Sequence, residues 1–265
     1  MPSSIAIRQQ IERDFQTRYP SVLTPAARTI REVASIGIPQ IDKLLDGGLP
    51  VGAISEITGL TSSGRTTISM AFLARRTQDG SVCAWIDTND SFDPESAAAN
   101  GISLKHLLWV RCRNAPFEKP SPAVRPKPFQ KMQQPWTRLD QAIRATDLLL
   151  QAGGFAVIVL DLADEAIEHS RRIPLATWFR FRQAADRTRC SLIVMGKAAY
   201  AQSSAAIVLE CQPDLIDVAC GTVIRSFSYS TRRGRVRFSP FTNIARIPPA
   251  STWTMQAPWN HEKHA

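Results

Sequence analysis

Short apolar runs alternate with amphipathic stretches along most of the chain. Strand-length apolar segments occur near residues 53–58, 82–87, 107–110, 155–161 and 191–195. The positions between them predict helices that begin near Thr66 and Pro174 and a third helix over about 138–151. This order predicts an α/β fold with a mostly parallel sheet and helices on both of its faces.

Three further β-like segments follow near residues 205–210, 222–230 and 235–238. They predict an antiparallel β extension at the C-terminal edge of the sheet. The sequence TRRGR between the last two segments is typical of a hairpin turn.

The chain is expected to divide into three parts. Residues 1–35 are interpreted as an amphipathic helix and a linker, residues 36–245 as the core, and residues 246–265 as a flexible tail. Six prolines within 111–137 predict an extended, exposed insert in the core, because proline disrupts regular helix and sheet. Trp253 and Trp259 in the tail are interpreted either as anchors for a partner or as side chains packed onto the core.

The stretch ITGLTSSGRTT lies between a predicted strand and a predicted helix and has the spacing of a phosphate-binding loop (P-loop). Backbone N–H groups of such a loop, and of the helix N-terminus after it, form a cradle for anions. The residues expected to bind nucleotide are Gly59, Ser62, Ser63, Gly64, Arg65, Thr66 and Thr67. The Thr66 hydroxyl and the Asp161 carboxylate are expected to hold Mg²⁺ if nucleotide is bound.

Arg65 occupies the position where such a loop normally has lysine. A lysine ammonium is a compact point charge, whereas a guanidinium is planar, bulkier and forked. Phosphoryl transfer depends on the placement of this charge. The substitution therefore predicts that nucleotide binding survives better than hydrolysis.

The P-loop and the following sequence VCAWIDTNDSFDPESAAANGISLKHLLWV closely resemble the ATPase core of the bacterial RecA recombinase. The resemblance implies a RecA-like P-loop core that binds ATP and Mg²⁺. It places Asn89 where RecA has the glutamate that activates the attacking water, and Lys197 where RecA has the glutamine that senses the γ-phosphate. Asparagine cannot act as a general base, and the neighbouring Asp90 stays open as a substitute. The resemblance thus predicts a degenerate ATPase with no assigned catalytic residue.

The stretches corresponding to the DNA-binding loops of RecA are short, and the chain resembles the ImuA group of RecA-like proteins, which is related to the cell-division inhibitor SulA. This resemblance implies a bacterial cytoplasmic protein, nucleoid-associated when recruited, that supports error-prone translesion synthesis in the DNA-damage (SOS) response. Its implied partners are a Y-family-like polymerase subunit, an error-prone replicative polymerase and RecA. Two alternatives stay open: an active DNA-dependent ATPase or recombinase, and a SulA-like division inhibitor.

A formal net charge of +9 favours nucleic acid, an acidic membrane surface or an acidic protein as a partner. The candidate contacts to DNA phosphates or to a partner are Arg171, Arg172, Arg180, Arg232, Arg233 and Arg235, and a solvated basic surface is the alternative. The apolar runs are far shorter than a membrane span, so no membrane association is expected. Five cysteines without CxxC spacing indicate reduced thiols of a cytoplasmic protein.

Overall fold

The computed structural model describes residues 32–113, 137–219, 223–236 and 250–256. All of them belong to one of the two compact units of the chain, residues 32–265. The helix predicted within residues 1–35, nearly all of the proline-rich insert, and Trp259 lie outside the described residues.

Ten strands occur in the described residues. In chain order they are β1 (Val33–Ala34), β2 (Leu49–Pro50), β3 (Ile54–Thr58), β4 (Cys83–Asp87), β5 (Leu107–Arg111), β6 (Val157–Asp161), β7 (Ser191–Gly196), β8 (Ala205–Ala219), β9 (Val223–Val236) and β10 (Ala250–Gln256). Strands β1 and β2 pair with each other, and the other eight form one sheet in the order β10-β9-β8-β3-β7-β6-β4-β5. The strands from β8 to β5 run parallel, and β9 and β10 are antiparallel additions.

Six α-helices connect the strands of the described part. They are α1 (Pro39–Leu44), α2 (Arg65–Gln78), α3 (Pro94–Ala99), α4 (Arg138–Ala152), α5 (Ile167–Arg171) and α6 (Leu175–Thr188). No helix in the described residues is long and apolar enough to cross a membrane.

Two hydrophobic cores lie on the opposite faces of the sheet. One contains Ile68 and Phe72 of α2, and the other contains Leu150 of α4 and Trp178 of α6. Helix α2 connects β3 to β4 in one direction along the sheet, whereas α4 and α6 connect strands in the reverse direction. Right-handed crossovers therefore place α2 on one face and α4 and α6 on the other. The predicted α/β fold with helices on both faces is confirmed.

The central strands are apolar along their whole length because both faces are covered. All five residues of β6, from Val157 to Asp161, are buried, and so are all six of β7. Continuous burial of this kind is the pattern of parallel strands between helix layers. Parallel pairing also brings the carboxyl ends of β3, β4, β6 and β7 to one edge of the sheet, where ligands of such folds bind.

The C-terminal strands differ from the prediction in two ways. The sequence TRRGR is not a turn, because it lies inside the continuous strand β9 and pairs with β8, with Glu210 opposite Arg232. Residues 250–256, predicted as part of a flexible tail, form strand β10 at the edge of the sheet. Burial of Trp253, which is 3% exposed, stabilises this strand against β9.

Candidate functional site

The P-loop follows β3 and leads directly into α2. Ser62 and Gly64 both have positive φ, 60° and 85°, and Gly64 is the N-cap of the helix. At Gly59, an added Cβ would lie 2.4 Å from Ser63 Oγ and 2.5 Å from the Cys211 carbonyl oxygen. The loop therefore requires glycine at Gly59 for close packing and favours it at Gly64 for the left-handed backbone.

A cavity of about 270 Å³, here called the P-loop cavity, lies beside this turn. Its lining residues are 61–67, Met70, Trp85, Ser91, Phe92, Asp161, Ala163, Asp164 and Tyr229. Ser63 Oγ and Trp85 Nε1 are buried polar atoms without a hydrogen-bond partner among the described residues. All seven residues of the predicted nucleotide-binding set except Gly59 line this cavity, together with the predicted metal ligand Asp161.

The Arg65 side chain is held in the floor of the site and is only 5% exposed. Its Nη1 donates hydrogen bonds to the carbonyl oxygens of Gly59 and Gly196, and its Nη2 donates to Ala163 O at 3.4 Å. The guanidinium thus connects the last residue of β7 with the segments that follow β3 and β6. This arrangement commits much of its donor capacity to the backbone, in contrast to a lysine that reaches terminal phosphates.

Asp161 ends β6 and supplies a carboxylate to the P-loop cavity. Burial raises its pKa to about 7, a hydrogen bond from Ala163 N at 2.9 Å opposes that rise, and the charges of Asp87 and Asp164 add to it. The Thr66 hydroxyl belongs to an exposed residue of the same cavity. No cluster of three or more His, Cys, Asp or Glu suited to a metal occurs in the described residues, so a cation here would have Thr66, Asp161 and ligand oxygens.

Asn89, at the position expected for the general base, does not line the P-loop cavity. Asp87 is fully buried, and its carboxylate accepts hydrogen bonds from the backbone N–H groups of Asn89, Ser91 and Phe92 at 3.3, 3.0 and 2.9 Å. This network fixes the turn after β4. Asn89 then lines a second cavity and is absent from the lining of the P-loop cavity.

Asp90 is bound by another side chain outside the P-loop cavity. Its two carboxylate oxygens accept hydrogen bonds from Nε and Nη2 of Arg111, both at 2.6 Å. The hydrogen bond with Arg111 lowers the pKa of Asp90 below its ordinary value, which makes this carboxylate a weaker base. Like Asn89, Asp90 does not line the P-loop cavity.

Lys197 lies one residue after β7 but also turns away from the P-loop cavity. Its Nζ donates a hydrogen bond to the backbone carbonyl of Glu165 at 3.4 Å. The residue lines a separate cavity of about 340 Å³ together with Gly59, Leu60 and Glu210. In this arrangement Lys197 does not line the P-loop cavity.

The sequence analysis missed several residues of the site: Trp85, Phe92, Asp164 and Tyr229 line the P-loop cavity, and Trp253 packs beside its last glycine. An added Cβ at Gly64 would lie 2.9 Å from ring atoms of both Tyr229 and Trp253, so the two rings cover the last glycine of the P-loop. Trp253 Nε1 donates to Thr231 Oγ1 at 2.9 Å, which fixes the indole. Asp164, three residues after Asp161, and Trp85 and Phe92, within the segment that resembles RecA, had local signals, whereas Tyr229 and Trp253 come from distant strands.

The predicted basic contacts separate into two regions. Arg172 and Arg180 line the second cavity, a cleft of about 1010 Å³ that we call the arginine cleft, whereas Arg171 does not. The complete lining of the arginine cleft is Asn89, Thr137, Arg138, Leu139, Asp140, Ile143, Arg144, Asp147, Glu165, His169, Arg172, Ile173, Pro174 and Arg180. Arg232, Arg233 and Arg235 lie on β9, where Arg232 pairs with Glu210.

The P-loop cavity fits the phosphate part of a nucleotide with Mg²⁺. The helix N-terminus at Gly64, the unpartnered Ser63 Oγ, the Thr66 hydroxyl and the Asp161 carboxylate are the donors and acceptors that such a group requires. A volume of about 270 Å³ lies just below the range of ordinary ligand pockets, and Tyr229 forms part of the wall.

Comparisons with known proteins agree with the sheet topology and the loop. The family profile described as RecA N-terminal domain matches residues 4–115. Protein RecA of Crocosphaera subtropica is 38% identical over 102 residues, which cover 38% of this chain and 29% of that protein. Protein RecA of Allorhizobium ampelinum is 32% identical over 158 residues, 59% of this chain and 37% of that protein.

The chain thus spans roughly a third of the length of the curated relatives it matches. The matched segment contains the P-loop, β4 and β5. Together with the parallel order of the central strands, this similarity shows that the chain contains a RecA-like core.

Proposed function

We propose that this protein is a degenerate RecA-like accessory factor of the bacterial SOS response. It supports error-prone translesion synthesis through protein partners and does not hydrolyse ATP efficiently or exchange strands. The proposal rests mainly on where two groups of residues lie. The residues suited to phosphate and Mg²⁺ line one cavity, whereas the residues at or beside the expected catalytic positions, Asn89, Asp90 and Lys197, lie outside it.

The residues of the P-loop cavity are suited to binding. Backbone N–H groups at the start of α2 hold phosphate oxygens, and Thr66 and Asp161 hold Mg²⁺, which when bound neutralises phosphate charge. The Arg65 guanidinium stabilises the loop by donating hydrogen bonds to three backbone carbonyl oxygens. A general base at the RecA position is lacking, and loss of such a base typically lowers a rate by about 10²–10⁴-fold.

The proposed partners are a Y-family-like polymerase subunit, an error-prone replicative polymerase and RecA. The similarity to proteins named RecA supports RecA as a partner, and the exposed Arg171, Arg172 and Arg180 provide a basic surface for an acidic protein or DNA. Contacts of these arginines with DNA phosphates would be independent of sequence and sensitive to salt. The proposed location is the bacterial cytoplasm, with recruitment to the nucleoid.

One experiment tests the nucleotide part. Calorimetric titration with ATP and Mg²⁺, with phosphate release followed in the same sample, is expected to show saturable binding and no multiple turnover. Fast turnover that disappears in Asp161→Ala contradicts the proposal.

The partner part is tested by pull-down at physiological salt and by damage-induced mutation frequency in cells. Capture of a polymerase subunit or RecA, and a fall in mutation frequency when the gene is removed, are the expected results. Absence of both effects rejects the accessory role.

An active DNA-dependent ATPase is a second candidate, and one observation favours it. The Asp164 carboxylate lines the P-loop cavity beside Asp161, where a base could serve the cavity from a direction that differs from RecA. DNA-stimulated phosphate release that Asp164→Asn removes, while ATP binding is retained, would support this candidate over the first.

A further inference from the structure

We propose that the P-loop cavity binds a nucleoside diphosphate with Mg²⁺ in preference to a nucleoside triphosphate. The backbone groups that hold the first two phosphates of a nucleotide are available in the loop, whereas the described lining offers no uncommitted cation to a third phosphate. The inference rests on the nucleotide-binding part of the proposed function and specifies which nucleotide the site retains.

The backbone donors of the loop are free to accept a ligand. Ile68 N donates the first hydrogen bond of α2, to Gly64 O at 3.0 Å, so the N–H groups of residues 65–67 have no acceptor within the helix. Ser63 Oγ, in the preceding loop, is buried and has no hydrogen-bond partner among the described residues. In phosphate-binding loops, such backbone N–H groups hold the α- and β-phosphates. The donors for a diphosphate are therefore present.

The cation of the loop is committed to the protein itself. In an ordinary P-loop, the lysine reaches the β- and γ-phosphates. Here Arg65 occupies that position, and its two terminal nitrogens donate to three backbone carbonyl oxygens. Lys197, just beyond the end of β7, lines a different cavity. A third phosphate at this loop therefore lacks the positive charge that normally neutralises it.

The rest of the cavity wall is apolar or acidic. Outside the loop, the described lining consists of Met70, Trp85, Ser91, Phe92, Asp161, Ala163, Asp164 and Tyr229. None of these side chains carries a positive charge, and the donors among them, such as the Ser91 hydroxyl, are neutral. Mg²⁺ neutralises part of the phosphate charge of either nucleotide. An additional phosphate is desolvated against aromatic rings and two carboxylates, which disfavours the triphosphate.

The size of the cavity acts in the same direction. Its volume is about 270 Å³, and its wall includes Tyr229, whose ring packs on Trp253 with centroids 4.6 Å apart. A triphosphate is longer than a diphosphate by one phosphoryl group. The packed aromatic wall therefore restricts the triphosphate more than the diphosphate.

The test compares ligands that differ by one phosphoryl group. ADP and a non-hydrolysable ATP analogue are titrated calorimetrically into the full chain with excess Mg²⁺. ADP is expected to bind at least about tenfold more tightly than the analogue, because the additional charge has no cation in the wall. Inorganic pyrophosphate and tripolyphosphate, which lack base and ribose, are expected to bind in the same order.

A pair of variants tests the contribution of the acidic wall. Asp164→Asn is expected to strengthen binding of the triphosphate analogue by about threefold and to change ADP binding less; Asp164 is exposed, so solvent limits the gain. Asp93→Asn is the matched control. It removes an exposed carboxylate that does not line the cavity, and asparagine retains the cap of α3. This control should leave the ratio of the two affinities unchanged.

Three results would overturn the inference. They are equal or tighter binding of the triphosphate analogue, binding of neither nucleotide, and an equal change of the affinity ratio in Asp164→Asn and Asp93→Asn. Binding of neither nucleotide also rejects the nucleotide part of the proposed function, whereas tighter binding of the triphosphate rejects only the preference for a diphosphate. The accessory role fails separately, through absence of partner capture and of any mutagenesis effect.

Discussion

Trp253 lies against Gly64: the indole of the edge strand β10 covers the last glycine of the P-loop, 2.9 Å from where a Cβ would stand. The two residues are far apart in sequence and meet because β10 pairs with β9 at the register that places Trp253 opposite Tyr229. The ring centroids of Tyr229 and Trp253 are 4.6 Å apart. Access to the P-loop therefore depends on how the C-terminal strands are packed.

Trp253→Ala is expected to loosen the ring of Tyr229, which lines the P-loop cavity and packs on Trp253, and so to strengthen binding of ATP with Mg²⁺ by at least about threefold. Binding of inorganic pyrophosphate should change less. The same variant should lose about 3–5 kcal/mol of unfolding free energy, the usual result of truncating a buried Trp. Calorimetry and urea unfolding measure the two effects.

Thr254→Ala is the matched control, because Thr254 is an exposed neighbour on the same strand. It should leave nucleotide affinity and stability nearly unchanged. Equal ATP affinity in the unmodified protein and in Trp253→Ala would show that the ring does not restrict the site.

Asp161→Asn is expected to stabilise the fold at high pH. The pKa of Asp161 in the folded protein, about 7, lies above its ordinary value of 3.8, so the folded state binds this proton more tightly. Its contribution to stability is full at low pH and declines as pH rises from about 4 to about 7. Asparagine removes the cost of burying a charged carboxylate at high pH. It should therefore raise the free energy of unfolding by up to about 4 kcal/mol at pH 8 and by much less at pH 5.

Urea unfolding at the two pH values measures this difference. Asp164→Asn, at an exposed position of the same cavity, removes only one of the charges that raise the pKa of Asp161 and should therefore show a smaller pH dependence. A loss of stability in Asp161→Asn that is the same at pH 5 and pH 8 would argue against a buried, destabilised carboxylate.

Asn89→Glu is expected to leave ATP turnover within about threefold of the unmodified protein, although it restores the residue type of RecA. The side chain lines the arginine cleft and not the P-loop cavity, so the new carboxylate lies in the wrong place. A base within reach would raise the rate by about 10²–10⁴-fold. Phosphate release measured under saturating ATP distinguishes these results.

Asp87→Ala is expected to destabilise the fold by about 3–5 kcal/mol, because buried donors lose their acceptor. Three backbone N–H groups and Trp109 Nε1 donate to this carboxylate. Thermal unfolding measures the loss. Asp93→Ala, which removes an exposed helix cap with two backbone bonds, should cost only about 1 kcal/mol.

The local sequence was sufficient to predict the parallel sheet, the P-loop and the position of Asp161 at the end of a strand. Each of these depends on residues close together in the chain, such as the apolar run of β6 or the spacing of Gly59 and Gly64. The directions of Arg65 and Asn89 depend on distant partners: Arg65 donates to Gly196 and Ala163, and the turn that carries Asn89 follows the buried Asp87. Such contacts leave no periodic pattern in the sequence, so the directions of these side chains could not be predicted.

The C-terminal region shows the same limit. The sequence around TRRGR has turn-like residues, yet long pairing with β8 keeps it extended. Strand β10 is short and polar except for residues such as Trp253, so its pattern resembles a tail. Burial of one indole against the P-loop determines its position.

The inward-facing guanidinium of Arg65 changes how genetic experiments on this locus should be interpreted. In a conventional motor, replacing the P-loop cation inactivates catalysis and leaves the amount of protein unchanged. Here the same replacement removes donors from three backbone carbonyls inside the domain, so the cell would contain less protein. A mutant phenotype at this codon would then report abundance, and an immunoblot must accompany any claim that ATP is required.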